Sequence, residues 1–141
     1  ACKTCNVPRS QKEIAHIFEL KIPIMTKGCK LFQEIIHMSK SKNRVFNADS
    51  ITSEDFIERF CNRLNISENH IKNIKSIENS TRNTSIISEV RPDSIAAGSI
   101  LLYCKSNNLE VDKGKISEIS RISEVTINKC CKKLQDITNT L

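Results

Sequence analysis

Residues 91–106 read RPDSIAAGSILLYCKS and form the most apolar stretch of the 141-residue chain. Proline suits the first position of a helix, so Pro92 predicts a helix that begins near residue 92 and ends near 106. Apolar side chains fall on nearly every face of this helix, which is typical of a helix surrounded by protein. We therefore predict a domain built around this central helix.

The segments on both sides of the central helix also have helical periodicity. Residues that favour helix N-termini precede four of these segments: Ser10, Thr52, Ser67 and Ser123. The chain has only three Gly and three Pro, too few for an all-β or loop-rich fold. Of the glycines, we expect Gly28 and Gly98 to allow close helix packing. The predicted fold class is all-α.

Residues 112–134 predict a short helix, a tight turn and a second helix. Isoleucines at 116, 119 and 122 would pack under the turn. Apolar residues at i, i+4 and i+7 would hold the second helix to the core: Ile127, Cys131 and Leu134. Its opposite face would carry Val125, Asn128, Lys129, Lys132 and Lys133. This pattern is typical of a helix-turn-helix, whose second helix enters the DNA major groove, although a plain helical hairpin has the same periodicity.

Residues 10–32 have the same plan of a short helix, a turn and a second helix. Ser10 and Glu13 are spaced as a capping box, and Pro23 suits the first position of the second helix. Apolar residues expected to be buried on these two helices are Ile14, Ile17, Phe18, Cys29, Phe32, Ile35 and Ile36. Two such units about 100 residues apart indicate an internal duplication.

The net charge of +6 is unevenly distributed. Residues 1–44 have nine basic and three acidic side chains, residues 45–112 have seven and ten, and residues 113–133 have six and two. Two basic segments therefore flank an acidic one, as expected of a protein that binds a phosphate backbone. A solvated lysine-rich surface is the alternative explanation.

The seven cysteines, an odd number without a secretory signal, predict reduced thiols in an intracellular protein. Cys2 and Cys5 are spaced like half of a zinc site, but no second ligand pair follows, so we expect no metal. No apolar run reaches the roughly 18 residues of a transmembrane helix. The sequence begins without Met, so we expect a piece of a longer protein.

Catalytic constellations are not found in the sequence. The three histidines, His16, His37 and His70, have no cysteine or carboxylate at catalytic spacing, and no glycine-rich phosphate loop is present. We therefore expect a protein that is not an enzyme.

Four stretches together resemble general transcription factor IIB. The first 14 residues, ACKTCNVPRSQKEI, resemble the end of that family's first cyclin-like repeat. Residues 55–64 (DFIERFCNRL) resemble the opening helix of its second repeat, and 91–97 (RPDSIAA) the start of the central helix. Residues 119–127 (ISRISEVTI) are similar to its helix-turn-helix. The four matches follow the family order and cover almost the whole chain.

The resemblance implies a cyclin-like fold with five helices per repeat and a C-terminal helix-turn-helix. Residues 1–38 would be the last helices of the first repeat, 39–50 a linker and 51–141 a complete second repeat. The family's zinc ribbon would lie outside these residues, so we expect no cofactor within them. The composition, rich in Asn, Ser, Ile and Lys, fits a divergent member from a protist or a large DNA virus.

The family's role implies binding to TATA-binding protein and promoter DNA and recruitment of RNA polymerase. The expected location is the nucleus, or a cytoplasmic replication site for a virus, without membrane attachment. We expect a monomer, because the apolar stripes all have a place inside the fold. The alternative is a cyclin-like module that binds only proteins.

Val125, Thr126, Asn128 and Lys129 match the family's DNA-reading positions. The family has an Arg where this chain has Asn128, and Asn favours adenine whereas Arg favours guanine. The remaining predicted DNA-binding residues would hold phosphates: Lys132 and Lys133, and in the first basic segment Lys27 and Lys30.

Overall fold

The computed structural model describes residue 7, residues 9–40 and residues 52–140, and it contains no strand within them. The chain divides into two compact units, Ala1–Ser50 and Ile51–Leu141. The first unit contains α1 (Gln11–Ile17) and α2 (Ile22–Lys40). The second contains α3 (Glu54–Arg63), α4 (Glu68–Thr81), α5 (Ser85–Ser88), α6 (Pro92–Ser106), α7 (Lys113–Ser120) and α8 (Glu124–Thr138). The predicted all-α class is therefore observed.

In the unit Ala1–Ser50, α1 begins with the predicted capping box. The Ser10 Oγ accepts a hydrogen bond from the Glu13 N–H at 3.3 Å, and the Glu13 carboxylate accepts one from the Ser10 N–H at 2.8 Å. These bonds satisfy two backbone donors that a helix start would leave unpaired. Of the predicted linker, residues 39 and 40 belong to α2, and residues 41–50 lie outside the described residues.

The apolar stripes of α1 and α2 differ from the prediction. Ile17, Phe18, Phe32 and Ile35 are all exposed, and among the described apolar residues of this unit only Ala15 is buried. The expectation of burial is therefore wrong for these four residues, whereas Ile14, Cys29 and Ile36 are half-buried. The physical reason is that two helices can cover only the surfaces that face each other.

In the unit Ile51–Leu141, α6 is the central helix. Residues 93–104 are all buried, and α3, α4, α7 and α8 pack around them. This agrees with the apolar character of every face of the helix. The observed bounds, Pro92–Ser106, match the prediction, with Pro92 in the first turn.

Helices α6 and α8 approach each other closely at Gly98. A Cβ added there would lie 2.9 Å from both the Cβ and the Sγ of Cys130. Glycine is therefore required for this packing, as predicted. At Gly28 no heavy atom of the described residues lies within 4 Å of an added Cβ, so the same prediction is wrong for Gly28 within this part of the chain.

The start of α3 is joined to the end of α4 by a buried carboxylate. Glu78, 1% exposed, accepts hydrogen bonds from the Ser53 hydroxyl and from the Arg82 guanidinium, whose Nε and Nη2 lie 3.1 and 2.9 Å from its two oxygens. Helix α3 begins at Glu54 with Ser53 as its N-cap, one residue after the predicted Thr52. Thr52 instead donates from its N–H and its hydroxyl to the Asp55 carboxylate.

Four cysteines are buried as free thiols in this unit: Cys61, Cys104, Cys130 and Cys131. Burial raises the pKa of Cys61 to about 12 and that of Cys130 to about 11, so these thiols stay protonated at neutral pH. They serve as small apolar core residues. Cys2 and Cys5 lie outside the described residues.

In the ranges that the structure describes, no group of three or more His, Cys, Asp or Glu side chains is placed to hold a metal ion. The helices in these ranges are also too short or too polar to span a membrane.

Candidate nucleic-acid interface

Helices α7 and α8 form the predicted short helix, turn and second helix, with residues 121–123 between them. The Asp112 carboxylate caps α7 by accepting a hydrogen bond from the Gly114 N–H at 2.9 Å. The Ser123 Oγ caps α8 by accepting one from the Thr126 N–H at 3.3 Å. Both helix starts are therefore fixed by local side chains.

The buried side of this motif follows the predicted spacing. On α8 the buried residues are Ile127, Cys130, Cys131, Leu134 and Ile137. Ile116 and Ile122 are buried beneath the turn, and the partly buried Ile119 packs against the same core. The motif is thus anchored to the central helix by its apolar stripe.

The turn itself is held by three features. Arg121 has a φ of 56° and a ψ of 35°, which is the left-handed region. The Ser117 hydroxyl donates to the Ile122 carbonyl at 2.6 Å. The Lys113 Nζ lies 3.1 Å from the Glu124 carboxylate, which links the first residues of the two helices. Together these contacts set the angle at which α8 leaves α7.

The same left-handed turn recurs elsewhere in the chain. Glu19 (φ 52°), Asn65 (φ 56°) and Arg121 (φ 56°) each lie three residues before the next helix. The α1–α2 turn therefore resembles the α7–α8 turn, and the duplication itself stays a prediction. The α3–α4 turn shares it too, so turn geometry alone does not identify a DNA-binding motif.

The six predicted DNA-binding residues of α8 lie together on its outer side. At 100° per residue they fall within about 160° of the helix circumference, opposite the buried stripe. Val125 is 63% exposed and Asn128 is half-buried. The other four are exposed: Thr126, Lys129, Lys132 and Lys133. Their role in binding stays a prediction.

Lys27 and Lys30 lie on α2, in the other unit, and both are exposed. Residues three apart share one side of a helix, so the two side chains lie on a common face of α2. The structure also exposes Lys115 and Arg121 on the α7–α8 motif, which were not singled out from the sequence. The signal that could have found them is the excess positive charge of residues 113–133.

Comparison with known proteins identifies the family. The family described as Transcription factor TFIIB repeat matches residues 46–137. A putative transcription initiation factor IIB-like protein of Acanthamoeba polyphaga mimivirus is 36% identical over 135 residues, which cover 95% of this chain and 29% of that protein. Transcription initiation factor IIB of Dictyostelium discoideum is 27% identical over 134 residues, 95% of this chain and 39% of that protein.

A more distant relative gives the same family name. Transcription initiation factor IIB 1 of Thermoplasma volcanium is 24% identical over 136 residues, 96% of this chain and 41% of that protein. The chain thus spans between 29% and 41% of the length of these three relatives. The resemblance read from the sequence and the cyclin-like all-α fold are confirmed. The chain belongs to the transcription factor TFIIB repeat family, a family of transcription initiation factors.

Proposed function

We propose that this chain binds promoter DNA through α8 and, with TATA-binding protein, helps to recruit RNA polymerase for transcription initiation. The observation that carries the proposal is the division of α8 into two sides. One side is buried against the core, and the other carries three exposed lysines, Lys129, Lys132 and Lys133. A helix attached in this way can enter the major groove with its outer side.

The charge of these lysines is available for phosphate binding. In the described part of the chain no ion pair involves Lys129, Lys132 or Lys133. By contrast, Lys75 lies 3.0 Å from the Glu58 carboxylate and Lys113 lies 3.1 Å from that of Glu124. Lysines that form no ion pair within the protein can neutralise DNA phosphates without first losing an internal partner.

The proposed activity is binding, without catalysis. Of the three histidines considered as catalytic candidates, His70 contacts Tyr103, with its Nδ1 2.9 Å from the hydroxyl. His16 and His37 are exposed helix residues. The protein would act in the nucleus, or at a cytoplasmic replication site if its source is a virus.

A gel-shift titration tests the proposal. A TATA-containing duplex with TATA-binding protein is titrated with the wild type, with the double variant Lys129→Glu, Lys132→Glu, and with the control Arg63→Glu, Lys72→Glu. The control changes the same charge at exposed positions on α3 and α4. We expect the α8 variant to bind at least about tenfold more weakly and the control to bind like the wild type.

Two results would contradict the proposal. Equal losses in both double variants would show that net charge, not α8, determines binding. If the wild type binds TATA-binding protein equally well with and without DNA, the result would instead support a module that binds only proteins. Circular dichroism on each variant would establish that its helices are intact.

A further inference from the structure

The side chains in the first turns of α8 differ in whether they already have a partner within the protein. The Glu124 carboxylate lies 3.1 Å from the Lys113 Nζ. The Thr126 hydroxyl lies 2.9 Å from the Ser123 hydroxyl. These two side chains help to hold the motif together, so reading a base would cost them existing contacts.

Val125 has no such role. It is 63% exposed, and the other exposed large apolar side chain in the described part of Ile51–Leu141 is Ile86, at 51%. It therefore presents an apolar surface at the beginning of an otherwise polar and basic helix side. In the major groove, an apolar side chain finds its matching contact in the methyl group of thymine.

Asn128 lies one helical turn further, on the same side as Val125. Within the described residues its side-chain amide makes no hydrogen bond, so both its donor and its acceptor remain available. An amide of this kind pairs with adenine, donating to N7 and accepting from N6, whereas guanine offers two acceptors at the same edge. Asn128 therefore favours adenine over guanine.

We infer that Val125 and Asn128 together make this helix selective for A·T base pairs, with Asn128 on an adenine and Val125 on a nearby thymine methyl. This inference rests on the proposed DNA binding by α8. Lys129, Lys132 and Lys133 carry flexible ammonium groups, which are suited to phosphates and supply affinity without sequence information.

Selection from a duplex library with randomised segments on both sides of the TATA element tests Asn128, with TATA-binding protein present throughout. We expect the wild type to enrich a position for adenine. Asn128→Arg should convert that position to guanine with affinity retained, and Asn128→Ala should lower the discrimination about tenfold. Guanine enrichment by the wild type, or an unchanged preference in Asn128→Arg, would overturn the assignment.

Replacing single thymines of the selected site by deoxyuridine tests Val125, because this change removes only the methyl group. We expect one such replacement to weaken wild-type binding about fourfold and to weaken binding by Val125→Ala clearly less. Equal effects on both proteins, or no effect on either, would overturn the role of Val125.

The two proposals can fail separately. If DNA binding depends on Lys129 and Lys132 but no position is enriched for A·T, the inference fails and the proposed function stands. If the wild type shows no DNA binding that these lysines control, both fail.

Discussion

Arg121 ends α7 in the left-handed backbone region, where a residue with a Cβ is strained. Nothing in the sequence around residue 121 indicates this conformation, since arginine is not enriched in it. Asn65 and Asn108 also have positive φ values, and asparagine is a residue type that tolerates them. Of the four left-handed residues in the described ranges, the two asparagines were therefore recognisable by residue type, whereas Glu19 and Arg121 were not.

Replacing Arg121 tests this strain. Arg121→Gly should raise the free energy of unfolding by about 0.5–1 kcal/mol. Glycine removes the steric cost in the folded state, and the greater conformational entropy of glycine in the unfolded chain offsets part of that gain. Arg121→Ile should lower it by about 1 kcal/mol, because a β-branched residue fits the region worst. Both variants remove the same charge, so shifts of the same sign in urea denaturation would show that charge decides the effect.

Gly98 is the second residue whose side chain, or lack of one, controls local packing. Gly98→Ala should lower the free energy of unfolding by about 1–3 kcal/mol, because its Cβ would lie 2.9 Å from the Cβ and Sγ of Cys130. Gly28→Ala is the matched control in α2. Space around Gly28 is open and alanine has the higher helix propensity, so this substitution should be neutral or stabilising. Urea denaturation of both variants measures the difference, and equal destabilisation would contradict the packing at Gly98.

At the scale of elements, the sequence predicted long helices well and tertiary contacts poorly. The bounds of α6 and the order of α7, turn and α8 follow from local periodicity and capping residues, and both were predicted. The four-residue α5 was not, since so short a helix has no periodicity to detect. The burial of Glu78 depends on Ser53, 25 residues earlier, so it could not be read from neighbouring residues.

The contact between α3 and α4 should depend strongly on Glu78. Glu78→Ala should lower the free energy of unfolding by about 2–4 kcal/mol, because it removes the partner of the buried Ser53 hydroxyl and leaves the Arg82 guanidinium only the Glu54 carboxylate, 3.5 Å away. The control is Glu58→Ala, on the exposed ion pair with Lys75, for which we expect a change below about 0.5 kcal/mol. Similar changes for both in thermal or urea unfolding would contradict the structural role of Glu78.

At the scale of the whole molecule, the structure defines which side of the basic segment 113–133 faces outward. The i, i+4 and i+7 spacing of Ile127, Cys131 and Leu134 was enough to predict which side of α8 faces outward, because burial on a helix repeats with its turn. The spacing could not show which of the outward side chains already contact another side chain of the protein. The contacts of Lys113 with Glu124 and of Ser123 with Thr126 depend on how the turn is folded.

The salt dependence of DNA affinity tests the central claim, that α8 is the DNA interface, most directly. Dissociation constants for the TATA-containing duplex with TATA-binding protein are measured over a range of salt concentrations. For Lys129→Glu, Lys132→Glu we predict that the slope of log affinity against log salt falls in magnitude by about 2 relative to the wild type. The control Arg63→Glu, Lys72→Glu should keep the wild-type slope. Equal slopes for all three proteins would contradict the claim.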